Sequence, residues 1–174
     1  MKKIIVNENQ KGLLFKNGRF IKHLDAGKYY IFGGKEVELL SVDAELRSEK
    51  CPVETLLANP ELAAKTVTVE VAENQLALHY VDGVQCPNIV LSCGKHVFWS
   101  DIHTHAFTMV DLTNPEVDES ISASARKRLA PIFFNVIEVA EYQKARLYFD
   151  KKFVRLLDAG THYFWRFHTK IDVE

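Results

Sequence analysis

The chain has 174 residues, 47% of them hydrophobic, with a formal net charge of −1 and a pI near 6.7. This length suffices for one substantial core or for two to three small ones. The near-neutral charge argues against nucleic acid as a partner, because such binding needs a basic surface. The apolar runs are too short for a membrane-spanning helix or a signal peptide, and three irregularly spaced cysteines predict no disulfide framework. We therefore expect a soluble chain in a reducing cytoplasm.

The sequence repeats itself. Residues 6–32 align without a gap to residues 139–165, and a weaker middle copy begins at Val71 and resumes at Gly94. The copies recur at a spacing of roughly 65 residues, which is typical of an architecture built from one supersecondary unit. The identical pairs of the first and third copies are Val6/Val139, Glu8/Glu141, Gln10/Gln143, Lys11/Lys144, Leu14/Leu147, Phe20/Phe153, Leu24/Leu157, Asp25/Asp158, Ala26/Ala159, Gly27/Gly160 and Tyr30/Tyr163.

Each copy is predicted to be a small antiparallel β meander, because short runs of β-branched and aromatic residues alternate with turn signals. The first turn is Asn17-Gly18 in the first copy and Asp82-Gly83 in the middle copy, and both dipeptides suit tight type I′ hairpins. The third copy has Asp150-Lys151-Lys152 at this place and lacks the glycine. This difference predicts a longer turn or one of another type.

A second turn precedes a dense aromatic strand in every copy. Its glycine recurs as Gly27, Gly94 and Gly160, which predicts a position in the left-handed region of backbone space. Asp25 and Asp158 come shortly before two of these glycines, where an aspartate side chain commonly bonds the backbone of its own turn. We therefore expect asparagine to be tolerated at both aspartates.

We predict a mainly β (α+β) fold of three pseudo-repeats joined by short helices. The expected β repeats are residues 1–50, 67–114 and 135–174, and the expected helical linkers are residues 51–66 and 115–134. In the second linker, Asp118 or Ser120 is the expected N-cap. The sequence leaves open whether the repeats stack in a row or pack around a pseudo-threefold axis.

The middle copy holds the densest group of residue types that bind metals. Its members are Cys86, Cys93, His96, His103 and His105. Zinc ligands usually come in pairs two to four residues apart, and Cys86 and Cys93 are farther apart than that. In addition, Cys93 and His96 take the places of Ala26 and Tyr29 of the first copy, so the repeat favours a structural role.

No nucleophile is accompanied by an obvious base. Cys51 precedes a proline without a nearby histidine, and Ser100, Asp101 and His103 are too close in sequence to count as a triad. Repetition also argues against a single catalytic pocket, because chemistry needs unlike groups that converge on one point. We therefore expect no enzymatic activity, no catalytic residues and no cofactor.

The aromatic strands allow two interpretations. Aromatic rows are most often core, but where they face outward they form an interaction patch. The candidate residues of such a patch are Tyr29, Phe32, Trp99 and Trp165.

A longer motif runs through the first copy and recurs in the third. It reads Val6-x-Glu8-x-Gln10-Lys11-Gly12-Leu13-Leu14-Phe15-x-x-Gly18-Arg19-Phe20, then Gly27, Tyr29-Tyr30-Ile31 and the run VELLSVD at residues 37–43. This motif resembles the opening of the SPFH or Band 7 domain, the family of stomatins, slipins and prohibitins, and bacterial slipins are the subgroup it resembles most. In that family a β-rich head precedes a larger α/β body and a coiled coil.

The chain also departs from the family pattern. The membrane-inserting segment, the α/β body and the coiled coil are missing, and Ala26 and Ala159 replace the proline of the family's Pro-Gly turn. We therefore expect the chain to be the front part of a longer slipin-like protein.

The resemblance implies a non-enzymatic module for protein association or membrane-associated scaffolding. Its partners would be other proteins or copies of itself, in the cytoplasm or at the inner membrane, with membrane contact only through parts absent here. The alternative is a small-molecule or metal-binding module that uses the Cys/His group of the middle copy. The two interpretations differ over Cys93 and His96.

Overall fold

The computed structural model describes residues 1–84, 89–167 and 169–174. Strands make up 50% of the chain and helices 12%, in several small antiparallel sheets. The β-rich fold class predicted from the sequence is therefore confirmed.

The elements follow the repeat. The first copy contains β1 (Lys2–Val6), β2 (Gln10–Lys16), β3 (Arg19–Leu24), β4 (Gly27–Ile31) and β5 (Lys35–Ser41), and it is followed by α1 (Val53–Leu57) and α2 (Pro60–Ala63). The middle copy contains β6 (Thr66–Val71), β7 (Gln75–Val81), β8 (Ile89–Leu91), β9 (Gly94–Trp99) and β10 (His105–Asp111), and it is followed by α3 (Ala123–Phe133). The third copy contains β11 (Phe134–Val139), β12 (Ala145–Phe149), β13 (Lys152–Leu157), β14 (Gly160–Trp165) and β15 (Ile171–Val173).

All three copies have the same strand pairing. The first and fourth strands form a two-stranded sheet, and the second strand lies between the third and the fifth in a three-stranded sheet. This order is more interleaved than a meander, since the fourth strand returns to the first. The prediction that the copies share one topology is confirmed.

The first and third copies also share their register. Val6 faces Gly27 across the two-stranded sheet, as Val139 faces Gly160. In both copies the pairing of the second and third strands shifts by one residue at aligned positions, between Leu14 and Phe15 and between Leu147 and Tyr148, which leaves Ile21 and Val154 of the third strands without a paired residue. The inner clusters match residue by residue: Val6, Leu14, Leu24 and Ile31 in the first copy, and Val139, Leu147, Leu157 and Phe164 in the third.

The first turns correct one prediction. Asn17 and Gly18 have φ of 50° and 80°, as expected for a type I′ turn. In the third copy, Asp150 and Lys151 adopt the same pair of positive angles, 49° and 68°, so the expected longer or different turn is wrong. The register of the flanking strands imposes the tight turn even on a lysine.

The middle copy also has positive angles at its first turn. Asp82 and Gly83 have φ of 53° and 71°. Residues 85–88, which follow this turn, lie outside the described residues, and beyond them Ile89 pairs with His79. The two-residue hairpin therefore stays a prediction for this copy.

In the middle and third copies, the first residue of this turn also hydrogen-bonds to the residue just before the fifth strand. The backbone N–H of Asp82 donates to the Thr104 carbonyl at 2.9 Å, and the Asp82 carboxylate accepts the N–H of Thr104 at 2.9 Å. Asp150 makes the same two bonds with Lys170, also at 2.9 Å. These aspartates therefore have a structural role that the turn pattern alone does not reveal.

The recurrent glycines have positive φ, but not the left-handed helical angle. Gly27, Gly94 and Gly160 have φ of 157°, 130° and 133°. They are the first residues of the fourth strands rather than turn positions, because Gly27 and Gly160 already pair with the first strands. Side chains rarely adopt such angles, which explains why glycine recurs there.

The linkers are helical, as predicted, with one correction. Asn59 caps α2, and its side-chain oxygen accepts N–H bonds from Glu61 and Leu62. Helix α3 begins after Ser122, which accepts the N–H of Ala125 at 3.2 Å, so neither Asp118 nor Ser120 is its N-cap. Asp118 instead accepts the N–H of Ser120 at 2.7 Å, a local turn that ends before the helix starts.

The chain divides into two compact units. The first unit contains Met1–Glu70, Val81–Gly83 and Gly94–Ala106, and the second contains Val71–Tyr80, Val84–Cys93 and Phe107–Glu174. The middle copy therefore gives β6 and β9 to the first unit and most of its other strands to the second. The units do not coincide with the repeats.

The turn of the third copy leads to a stability prediction. Lys151 has φ of 68°, which costs a non-glycine residue about 1–2 kcal/mol. We expect Lys151→Gly to raise the free energy of unfolding by about 0.5–1 kcal/mol, because relief of the backbone strain at this position exceeds the extra chain entropy that glycine loses on folding. The reciprocal change, Gly18→Lys, should lower it. Urea unfolding midpoints of the two variants and the parent measure these changes. If the Lys151→Gly variant is no more stable than the parent, the assignment of this turn is wrong.

Candidate functional site

The core of the first unit forms between the sheets of two successive copies. Leu13 and Phe15 come from β2, and Val97 and Trp99 come from β9; all four are 0–1% exposed. Leucines from the connecting segment complete this cluster: Leu46, Leu56 and Leu62. The outer face of the first copy's three-stranded sheet is thus covered by the two-stranded sheet of the middle copy.

The second unit repeats this arrangement one copy later. Leu76 and Leu78 of β7 pack with Phe134 of β11 and Trp165 of β14. The connecting segment again contributes apolar side chains: Ile121, Ala125 and Leu129. Phe134 and Trp165 meet edge to face, with ring centroids 4.8 Å apart. In both units, therefore, the outer face of a two-stranded sheet is a packing surface.

The corresponding face of the first copy is exposed. We call it the head face; it consists of Lys3, Ile5, Lys28, Tyr30 and Phe32. Tyr30 is 55% exposed and Phe32 is 59% exposed, whereas Trp99 and Trp165, which align with Phe32, are 0% and 1% exposed. The first copy thus presents to solvent the aromatic positions that the other copies bury.

The third copy instead exposes the outer face of its three-stranded sheet. We call it the tail face; it consists of Arg146, Tyr148, Phe153, Leu156, Asp172 and Glu174. Tyr148 and Phe153 meet edge to face at 5.9 Å, as the aligned Phe15 and Phe20 do at 5.7 Å. Phe15 is fully buried whereas the aligned Tyr148 is half-buried, and Phe20 is half-buried whereas the aligned Phe153 is 57% exposed.

The predicted aromatic patch is not one surface. Trp99 and Trp165 are buried in the two cores, and Tyr29 is half-buried against the inner cluster of the first copy, with its hydroxyl donating to the Asp25 carbonyl at 2.6 Å. Of the four candidates, Phe32 alone is exposed. Strand alternation explains this outcome, because Tyr29 and Tyr30 face opposite sides of β4; Tyr30 was the missed member.

A cluster of charges lies beside Trp99 in the first unit. The Lys11 side chain is 3% exposed, and its Nζ donates to Asp25 and Asp101 at 2.5 Å each. Lys65 binds the other Asp25 oxygen at 2.6 Å. Lys11 Nζ also lies 5.1 Å from the centre of the Trp99 ring, a cation–π contact. A buried ammonium is tolerable here because two carboxylates and an aromatic face surround it.

This cluster shifts the ionisation of its members. The hydrogen bonds from Lys11 and Lys65 lower the pKa of Asp25 to about 2. The same Asp25 bond raises the pKa of Lys65. Burial lowers the pKa of the neighbouring His23, which lies 5.6 Å from the Trp99 ring. His23 Nδ1 and Trp99 Nε1 are buried without a hydrogen-bond partner among the described residues.

The aligned pair in the third copy is exposed. Lys144 Nζ lies 3.5 Å from Asp158, and their side chains are 67% and 82% exposed. The sequence contained a signal for this pairing, because Lys and Asp recur together in the first and third copies, whereas Leu76 replaces the lysine in the middle copy. The turn interpretation of Asp25 missed it.

The predicted metal group does not converge in the described part of the chain. Cys86 lies outside the described residues, and Cys93 is exposed. His96 binds Glu45 at 2.9 Å, and His105 donates to the Trp99 carbonyl at 2.7 Å. His103 bonds Asp82 at 2.7 Å and Asp43 at 2.9 Å. No group of three metal-binding side chains is found among the residues that the structure describes.

Ser100, Asp101 and His103, whose close spacing argued against a triad, contact different partners. Asp101 binds Lys11, and His103 binds the aspartates of two other turns. The backbone N–H of Ser100 donates to the Lys65 carbonyl at 2.8 Å. The three residues therefore serve different contacts.

An open groove of about 620 Å³ in the second unit is acidic but internally satisfied. It is lined by residues that include Asp111, Glu116, Asp118 and Trp165. Asp111 accepts bonds from Thr113, and Glu116 pairs with Arg155 at 2.5 Å. These carboxylates stabilise loops rather than point to a ligand.

Comparison with models of known families, with curated proteins and with solved structures found no match to this chain. Among the described residues, no helix combines the length and the apolar character needed to cross a bilayer. The resemblance to the SPFH family accordingly stays a prediction.

The two aligned aspartates give a matched mutational test. Asp25→Asn weakens the contacts of a buried lysine, so we expect it to lower the free energy of unfolding by about 1–3 kcal/mol. Asp158→Asn, at an exposed pair, should change it by less than about 0.5 kcal/mol. Urea denaturation at neutral pH measures both. Equal effects of the two substitutions would contradict the structural role of the Lys11 cluster.

His103 and His23 should respond to pH in opposite ways. The hydrogen bond to Asp82 raises the pKa of His103 above its ordinary 6.5, so its contribution to stability is present below that value and lost as pH rises through the folded pKa. We expect His103→Asn to destabilise the protein more at about pH 5 than at about pH 8.5. Burial lowers the pKa of His23, so its contribution is lost as pH falls. Histidine NMR titrations should give midpoints above 6.5 for His103 and below 6.5 for His23; the reverse order would contradict the structure.

Proposed function

We propose that the chain is a non-enzymatic β-repeat module for protein association, of the slipin-like scaffolding kind. The observation that supports it most is the head face. Tyr30 and Phe32 are more than half exposed at positions where the other copies bury Val97, Trp99, Tyr163 and Trp165 to different degrees against a preceding sheet. An aromatic face of this kind marks an interaction surface, because burying it against a second sheet is how the same unit is stabilised elsewhere in the chain.

The polar clusters support a structural rather than a chemical role. Lys11, Asp25, Lys65 and Asp101 neutralise one another, and His103 bridges two turns. The resemblance to the SPFH family extends the proposal to scaffolding at the cytosolic side of a membrane, with the attachment made by segments outside this sequence.

Site-specific photo-crosslinking in cells tests the proposal. A photo-reactive phenylalanine analogue in place of Phe32 should form covalent adducts with protein, because that side chain is 59% exposed on the head face. The matched control is the same analogue in place of Tyr142, which is 87% exposed but outside both faces. Mass spectrometry identifies the adducts. Equal adduct yields at both positions, or none at Phe32, would refute association through the head face.

A further inference from the structure

We propose that the partner of the head face is the tail face of a second copy of this chain, so that molecules associate head to tail. This inference rests on the proposed function and names its partner. Its basis is the repeat: each compact unit already contains one such interface, between the three-stranded sheet of one copy and the two-stranded sheet of the next.

The internal interface of the first unit shows what the tail face lacks. There, the Phe15 and Phe20 pair is covered by Trp99, Val97 and three leucines. The aligned Tyr148 and Phe153 pair keeps the same edge-to-face geometry in the third copy but remains accessible. The tail face thus keeps the aromatic pair of a packing surface, but no two-stranded sheet of this chain packs on it among the described residues.

The head face supplies the missing cover in the same alignment. Phe32 takes the place of Trp99, and Tyr30 takes the place of Val97. In the first unit Trp99 lies against Lys11 and His23. The aligned residues of the third copy are Lys144 and Leu156, and Leu156 is 50% exposed. A second molecule that docks as the internal copies do would place Phe32 on these two side chains.

The charges that flank the two aromatic groups are complementary. Lys3 lies across the sheet from Tyr30 on the head face. Asp172 lies across the sheet from Tyr148 on the tail face, and Glu174 accepts a bond from the Tyr148 hydroxyl at 3.1 Å. Since the head and tail faces differ, the contact is heterologous. An open assembly then has a free head at one end and a free tail at the other, unless a ring closes.

Sedimentation velocity of the purified full chain, over a series of concentrations, tests this inference. We expect the parent to form species larger than a monomer whose fraction rises with concentration. Phe32→Asp should remove them by disabling the head, and Phe153→Asp should remove them by disabling the tail. Tyr142→Asp, at an exposed residue outside both faces, should leave them unchanged. Circular dichroism confirms folding, and Tyr30→Ser and Leu156→Ser replace any variant that does not fold.

Mixing the two disabled variants gives the deciding result. An equimolar mixture of Phe32→Asp and Phe153→Asp retains one intact head and one intact tail, so it should form a dimer that grows no further. A monomeric mixture would overturn the inference, as would a parent monomeric at every concentration or an oligomer that survives either substitution. Loss of the oligomer in Phe32→Asp but not in Phe153→Asp would also overturn it, by indicating a symmetric head-to-head contact.

These outcomes are separable from those of the proposed function. A monomeric purified parent, together with adducts to another protein at Phe32 in cells, would leave protein association standing and refute self-association. If the adducts are also absent, both proposals fail.

Discussion

Each compact unit depends on one aromatic contact. A tryptophan from the fourth strand of one copy packs against the second strand of the preceding copy. Trp99 does so in the first unit and Trp165 in the second. A side chain of this size buries about 150–250 Å², which at about 25 cal/mol/Å² corresponds to about 4–6 kcal/mol before the entropy of ordering is subtracted. A two-stranded sheet has no other means to bury its outer face, so the interface between copies, and not the copy itself, defines the compact unit. This explains why the middle copy is divided between the two units.

Much of this fold could be predicted from the sequence, because the same pattern of turn and strand residues recurs in each copy. Shared turn glycines and aromatic strands predicted the number of copies and their common topology, and the different character of the segments between the copies predicted the helical linkers. The turn at Lys151 could not be predicted from local propensity, since it is the register of β12 and β13 that requires two positive φ angles there. The N-cap at Ser122 was missed for a similar reason. Aspartate is a good N-cap residue, but the Asp118 carboxylate accepts the N–H of Ser120 in a local turn before the helix begins. Strand pairing is equally non-local, because in every copy the fourth strand pairs with the first and not with the third.

The candidate site was harder to predict because the same residues have different roles in different copies. Lys11 and Asp25 are aligned with Lys144 and Asp158, but only the first pair lies beneath a neighbouring sheet. There the ammonium loses water and needs Asp25, Asp101 and the Trp99 ring in its place, whereas Lys144 keeps its solvent. The alternation along β4 likewise separates Tyr29, which packs inward, from Tyr30, which faces outward. Sequence alone records the residue types and not what covers them.

The tail face is more polar than the head face. This difference limits the strength of any contact between the two faces. The head face keeps Tyr30 and Phe32, but the tail face has Arg146 where the first and middle copies bury Leu13 and Leu78. Arg146 pairs with Glu174 at 3.4 Å while both remain mostly exposed. Docking would have to remove water from this pair, and that cost offsets part of the gain from burying Phe32 and Phe153. A head-to-tail contact is therefore weaker than the internal interfaces that it imitates. We therefore expect such a contact to form and dissociate reversibly, whereas the aligned interfaces within the chain stabilise each compact unit from inside.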